Sequence, residues 1–235
     1  MRSNFGANND GATLRFGRNA CLEGNATMSA DTVKLGMGST ITNVAANQLL
    51  GHVTPPNTTH VTLPLVSPFC ELPVLDCSAV PPENQEILVG RDQQLLLQPG
   101  IYGNIRILNG GVLTVLGGEY RICGINGLKA GRASVIVSFG PGQSIINVRN
   151  NVTIGGNGEI ITDNGAVPPE LNVSGLSIRF GPMSTINAFI TAPNALLRLG
   201  RSGALNGSFC VNVIGSDNGA VLACPSSDST AHTCP

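Results

Sequence analysis

A short unit recurs along this chain and constrains its fold more than any other feature. The unit contains an apolar residue, any residue, a second apolar residue, usually a glycine, four variable residues and one further apolar residue. Nine copies are present, beginning at Leu14, Val33, Ile87, Ile105, Tyr120, Val137, Val152, Ile178 and Leu197. Most neighbouring copies begin 15 to 19 residues apart. A repeat of this length is typical of a solenoid in which each repeat forms one coil.

The pattern inside the unit favours strands over helices. Two apolar residues in alternation face the same side of a strand, and the following glycine permits a sharp corner. Stacked coils would bury these apolar faces and pair one another's backbone groups. The sequence therefore predicts an all-β fold, a single-stranded parallel β-helix. Unequal coil lengths favour the right-handed form over the left-handed form, in which apolar residues recur every six positions, as at Phe16, Leu22 and Met28.

The copies divide the chain into four segments. We expect N-terminal coils at 11–43, a Pro-rich excursion packed on the solenoid at 44–86, the main β-helix at 87–221, and a C-terminal tail at 222–235. Eight of the 15 prolines fall within or just after the second segment, and proline cannot donate to a β ladder.

The second apolar residue of each copy should point into the same interior. Because register alone would align these residues, the sequence predicts that they form one stacked column. The predicted column contains Phe16, Leu35, Val89, Ile107, Ile122, Phe139, Ile154, Phe180 and Leu199.

Composition excludes several classes of partner. The net charge is −1, so there is no overall positive field to attract nucleic acid. No apolar run approaches the ~18 residues of a membrane helix. The first residues contain no signal-peptide core, and we expect any export signal to lie upstream of this chain. No motif for a cofactor is found, and none is expected.

Seven cysteines suggest an oxidising compartment. Cys70 and Cys77 bracket a Pro-containing loop, and Cys224 and Cys234 bracket the tail, so we predict these two disulfides. The remaining cysteines lie within repeats and are expected to be small buried apolar residues; they are Cys21, Cys123 and Cys210. An extracellular or cell-surface location follows from the predicted disulfides.

The coil pattern resembles that of bacterial β-solenoid proteins of the bactofilin type. Three phrases are also similar to those of bacterial surface solenoids; they are Leu97–Gly103, Gly117–Tyr120 and Ala192–Ala195. The resemblance covers residues 11–43 and 87–213. It implies a β-solenoid of the cell surface and provides no catalytic residues that could be carried over to this chain. The bactofilin branch implies polymerisation, here by self-association through the terminal coils.

The sequence contains few residues that could form a catalytic site. The three histidines, His52, His60 and His232, lie in the excursion and the tail and are interpreted as loop residues. The nearest approach to paired carboxylates is Glu119, Glu159 and Asp163, which would be the candidates in a polysaccharide lyase or hydrolase. A carbohydrate-active β-helix enzyme is therefore the main alternative to a non-catalytic protein.

The residue between the two apolar positions points outward, and it is basic in six of the nine copies. These residues are Arg15, Lys34, Arg106, Arg121, Arg179 and Arg198. They are interpreted either as a solvated face or as a stripe that binds acidic polysaccharide or another surface polymer. The sequence thus favours a non-catalytic structural or adhesive solenoid of a bacterial surface or extracellular assembly.

Overall fold

The structure, a computed structural model, describes residues 4–7, 13–23, 27–41, 43–51, 59–60, 72, 75–127, 135–163 and 166–223. In this part of the chain all 21 strands join one sheet whose pairings are parallel, as in a β-solenoid. The strands are β1 Asn4–Ala7, β2 Thr13–Phe16, β3 Cys21–Glu23, β4 Thr27–Leu35, β5 Thr40–Ile41, β6 Asn43–Gly51, β7 Thr59–His60, β8 Glu86–Val89, β9 Gln94–Leu97, β10 Gly100–Ile107, β11 Val112–Gly127, β12 Val135–Val148, β13 Val152–Ile154, β14 Glu159–Thr162, β15 Glu170–Val173, β16 Ser177–Phe180, β17 Thr185–Asn187, β18 Phe189–Leu199, β19 Ala204–Asn206, β20 Phe209–Ser216 and β21 Val221–Ala223. Two short 3-10 helices, Cys77–Ala79 and Pro82–Asn84, precede β8. The predicted parallel β-solenoid is confirmed.

The coils do not stack in the order of the sequence. The stack begins with β8 and β9 and continues in order to β20 and β21. The N-terminal strands then follow the last coil. Strands β1 and β2 pair with β20 on one side and with β4 on the other, while β3 lies between β21 and β5. We call this junction, between the coil of β20 and β21 and that of β1 to β3, the seam.

The two ends of the stack are different parts of the chain. Strand β6 pairs with β4 and β7, so the coils continue beyond residue 43, where the sequence suggested that they stop. At the other end, within the described residues, β8 pairs with β10 alone and β9 with β11 alone. Self-association through the terminal coils stays a prediction.

The predicted interior column is largely correct. In the register of the strands, Val89 pairs with Ile107, Phe180 lies between Ile154 and Leu199, and Phe16 pairs with Leu35. Seven of the nine predicted positions lie in this one column, which they occupy between β8 and β4. Its buried members are Val89, Ile107, Ile154, Phe180, Leu199, Phe16 and Leu35.

Phe139 was wrongly placed in the interior, since 48% of this residue is exposed. Strand β12 is one residue out of phase with the repeat, so Ile136 and Ser138 face inward instead. The buried Ser138 hydroxyl lies 2.9 Å from the hydroxyl of Ser144, which donates to the carbonyl oxygen of Leu116 at 2.9 Å. Because both hydroxyls have partners, the inward polar residue is tolerated.

Ile122 is buried but belongs to another column. It pairs with Tyr102 and Val148, whereas Ile107 pairs with Gly127. Strand β11 crosses two corners: its register with β12 shifts between Leu116 and Gly118, and beyond Ile122 its partner changes from β12 to β13. Ile122 therefore lies before the second corner, and the face that contains Ile107 lies after it. Spacing in the sequence therefore did not distinguish successive coils from successive faces of one coil.

Tyr102 and Tyr120, which belong to the segments Leu97–Gly103 and Gly117–Tyr120, have a structural role. The fully buried Tyr120 hydroxyl donates toward the carbonyl oxygens of Leu97 and Leu116, each at 3.0 Å, and accepts from the Leu116 N–H at 2.8 Å. Tyr102 donates to the carbonyl oxygen of Gln98 at 2.7 Å. Burial raises the pKa of both phenols, so the protonated donors persist above the usual range. In both segments a tyrosine hydroxyl thus hydrogen-bonds main-chain carbonyl oxygens from inside the solenoid.

The disulfide prediction for Cys70 and Cys77 is wrong. Cys77 is bonded to Cys123, with Cα atoms 5.8 Å apart and 46 residues of sequence separation. This bond ties the 3-10 helix Cys77–Ala79 to β11. Cys21 and Cys210, which like Cys123 were expected to be small buried apolar residues outside any disulfide, are also disulfide-bonded. The predicted bond between Cys224 and Cys234 lies outside the described residues.

Candidate anion-binding groove

Four of the six basic residues expected in a stripe form one row on the outside of the solenoid. Arg179 pairs in register with Arg198, and Arg15 pairs in register with Lys34. Gly215 pairs with both Arg198 and Arg15, and so joins the two halves of the row across the seam. Neighbouring positions in such a row are ~4.8 Å apart. All four basic residues are exposed.

Arg106 lies in the same row but at a distance from the other four. Asn126 and Thr153 occupy the two intervening positions, since Arg106 pairs with Asn126 and Thr153 pairs with Arg179. The Arg106 guanidinium is 3.6 Å from a Glu86 carboxylate oxygen. Because two uncharged positions separate Arg106 from Arg179, we define the row of cations as the other four residues.

Arg121 lies on another face. It pairs with Ile101 and Asn147, so the prediction that it shares a stripe with the other five basic residues is wrong. Its Nε donates to a Glu119 carboxylate oxygen at 2.9 Å. That carboxylate also accepts from the buried Asn147 amide at 3.1 Å, and the next amide along, Asn172, donates to Asn147 at 3.0 Å. This polar ladder accounts for Arg121 without a ligand.

A ladder of glycines lies beside the row of cations. Each follows the inward residue of its strand, and the ladder contains Gly155, Gly181, Gly200, Gly17 and Gly36, with Asp217 at the seam. A Cβ added to Gly200 would lie 2.6 Å from the backbone of Gly181, and one added to Gly36 would lie 2.5 Å from that of Gly17. Contacts this short exclude any side chain. Except at Asp217, the ladder is therefore a floor of main chain without side chains.

Turn residues form the opposite wall. In stacking order these are Gly156, Pro182, Arg201, Asn218, Arg18 and Met37, whose carbonyl oxygens accept from the next residue of the neighbouring turn at several levels. Arg18 and Arg201 are exposed and were missed by the sequence analysis. The signal that would have found them is a basic residue directly after the corner glycine, in Gly17-Arg18 and Gly200-Arg201.

Together the row, the floor and the turn wall define what we call the groove. Part of it is an open pocket of about 430 Å³ lined by Arg179, Arg198, Phe180, Asp217 and the turn residues Gly156 and Pro182, with Gly155, Gly181 and Gly200 in its floor. The walls contribute Arg179, Arg198, Arg15, Lys34, Arg201 and Arg18, six of the 13 basic residues of the chain.

Only one described carboxylate belongs to the floor or walls of the groove. Asp217 accepts from an Arg198 guanidinium nitrogen at 3.3 Å, and both side chains are about half exposed. Among the described residues, Arg15, Lys34 and Arg179 form no ion pair. Like charges directly opposed across a ladder repel one another, so the row is a site that a bound anion would stabilise.

The candidate acids of an enzyme are not brought together. Glu119 pairs with Ile145 and is engaged by Arg121, whereas Glu159 pairs with Val135 and Thr185 on another face, and Asp163 follows β14. His52 and His232 lie outside the described residues, and His60 pairs with Val44. In the described ranges, no three residues of His, Cys, Asp or Glu lie close enough to hold a metal ion.

Comparison with family models, with curated proteins and with solved structures gave no match. No helix in the described part of the chain is long and apolar enough to cross a membrane. The function is therefore inferred from the groove itself.

Proposed function

We propose that this protein is a non-catalytic β-solenoid that binds acidic polysaccharide along the groove, and that it serves a structural or adhesive role at a bacterial cell surface or in an extracellular assembly. The observation that carries this proposal is the row of cations, in register on adjacent coils, beside a floor without side chains. A regular row of charges matches a regular polymer better than it matches a small anion.

Two physical effects favour this binding: a polyanion reduces the repulsion between neighbouring cations, and it can approach the main chain of the floor closely. Adjacent cations ~4.8 Å apart raise one another's free energy, and a polyanion laid along them removes that repulsion. The glycine floor lets the face of a sugar ring approach the main chain without meeting a side chain. Each exposed contact contributes little by itself, about 0.2–1 kcal/mol, so useful affinity requires several coils acting together.

The disulfides support the proposed location. Cys21, Cys77, Cys123 and Cys210 are all disulfide-bonded. Structural disulfides persist in secreted and surface proteins and are rare in the reducing cytosol. An extracellular or cell-surface protein would also meet acidic polysaccharides in its surroundings.

Replacing Arg179 and Arg198 together with serine should weaken binding to polygalacturonate, our probe for an acidic polysaccharide. We expect roughly a tenfold rise in Kd at low salt, because two of the row's contacts are lost. Both side chains point outward, so the thermal unfolding temperature should change little. Isothermal titration calorimetry gives the affinity, and circular dichroism checks the fold.

The matched control is Arg121→Ser. The Arg121 side chain is 53% exposed and that of Arg198 is 52% exposed, but Arg121 lies on another face. The control should bind polygalacturonate as the wild type does. The control removes one charge and the double variant removes two, so if the control loses about half the binding free energy that the double variant loses, binding follows total charge and the groove has no special part in it.

A further inference from the structure

The groove is built from two separate parts of the chain. Arg179, Arg198 and Arg201 belong to the coils that begin at β8, whereas Arg15, Arg18 and Lys34 belong to the N-terminal coils that follow the seam. The strand pairing across the seam holds both sets in one register. The row exists only because the N-terminal coils stack after β20 and β21.

Gly215 is a gap in the row at the seam. It pairs with Arg198 on one side and with Arg15 on the other, and a Cβ added there would meet nothing within 4 Å. Open space at this position means that a side chain would project outward alongside its neighbours. From Arg198 to Arg15 the row therefore has no charge over two strand spacings, about 10 Å.

We propose that one linear polyanion runs parallel to the solenoid axis and crosses the seam, so that it contacts cations of both chain parts at once. This inference rests on the proposed function and adds the direction and minimum length of the ligand. From Arg179 to Lys34 the row covers four strand spacings, about 19 Å. A ligand that stops short of the seam reaches only one pair of cations, and a longer one reaches both.

The seam geometry supports a continuous path for such a ligand. The Gly17 N–H donates to the Ser216 hydroxyl at 3.4 Å, and the Arg18 N–H donates to the Asn218 side chain at 3.1 Å. The turns continue across the junction, because the Gly219 N–H donates to the Arg18 carbonyl oxygen at 2.8 Å. The floor is interrupted only by Asp217, whose carboxylate is turned to Arg198.

The test is a length series of oligogalacturonates titrated against the full chain at low salt. For the wild type, affinity should rise with length until the ligand covers about 19 Å, and should then level off. In the variant Arg15→Ser/Lys34→Ser, affinity should level off at the shorter length that covers Arg179 and Arg198 alone. Each cation gained should tighten binding roughly two- to fivefold.

A second variant tests the same inference by adding a charge at the uncharged position Gly215. Gly215→Lys fills the missing position and should bind long oligomers roughly two- to fivefold more tightly than the wild type. Gly215→Ser is its uncharged control and should leave the affinity unchanged.

The outcomes separate this inference from the proposed function. If affinity levels off at the same length in the wild type and in Arg15→Ser/Lys34→Ser, and Gly215→Lys gains nothing, the ligand does not cross the seam, although the groove still binds it. If no oligomer of any length binds the wild type, the proposed function itself is overturned.

Discussion

Replacing Gly200 with alanine should destabilise the protein by about 3 kcal/mol, the upper end of the usual effect of overpacking. The new Cβ would lie 2.6 Å from the carbonyl carbon of Gly181, 2.6 Å from the nitrogen of Pro182 and 2.8 Å from the Gly181 carbonyl oxygen. All three are main-chain atoms of the neighbouring coil, so no side chain can rotate away to make room. The coils must separate at this corner, and the backbone ladder on either side is weakened. Urea denaturation followed by circular dichroism measures the loss of unfolding free energy.

Gly215→Ala is the matched control for this prediction. It makes the same chemical change in a neighbouring coil, where the added Cβ meets nothing within 4 Å. Its effect should stay within about 0.5 kcal/mol, as for most surface substitutions. If the two alanine variants were equally stable, close stacking of the glycine floor could not be the reason for its composition.

Removing the Cys77–Cys123 disulfide should cost about 4 kcal/mol of unfolding free energy, if loop entropy sets the effect. The bond closes a loop with a sequence separation of 46 residues, which restricts the unfolded chain strongly. In the folded state it fixes the 3-10 helix Cys77–Ala79 against β11. The double variant Cys77→Ala/Cys123→Ala should therefore unfold at lower urea than the wild type, with both measured without reductant.

Peptide mapping under non-reducing conditions provides the check on connectivity. It should recover the Cys77 peptide linked to the Cys123 peptide. Recovery of Cys77 linked to Cys70 would restore the local pairing that the sequence suggested and would contradict this part of the fold. Unchanged stability of the double variant would show that the crosslink does not restrict the unfolded chain as argued.

The sequence predicted the parallel β-solenoid because the repeat has a direct physical meaning. Alternating apolar residues such as Ile178 and Phe180 must face one interior, and both are buried. The placement of residues predicted from the repeat was wrong where a coil has more than one strand of similar pattern. Tyr120-Arg121-Ile122 reads like its neighbours, but it lies on another face because β11 reaches the face of the main column only after Ile122, where its partner changes from β12 to β13. The local pattern predicts whether a side chain points inward or outward, but it does not predict on which face of the solenoid the side chain lies.

The stacking order could not be read from the sequence. Nothing in the unit around Leu14 distinguishes a first coil from one that follows the C-terminal coil, because every coil offers the same ladder of backbone groups. For this reason the joining of Arg198 to Arg15 through Gly215 was not foreseen, although both basic residues were identified. Arg18 and Arg201 were missed because the repeat marks strand positions and not the turns beside them.

The most direct test of the account is a comparison of wild-type binding to polygalacturonate and to an uncharged polysaccharide, titrated at low and at high salt. We predict binding to the acidic polymer at low salt, steep weakening as salt rises because exposed charges are screened over about 10 Å at 0.1 M, and no binding to the neutral polymer. Equal binding to both polymers, or the absence of any binding to polygalacturonate at low salt, would contradict the proposal that the groove is a polyanion site.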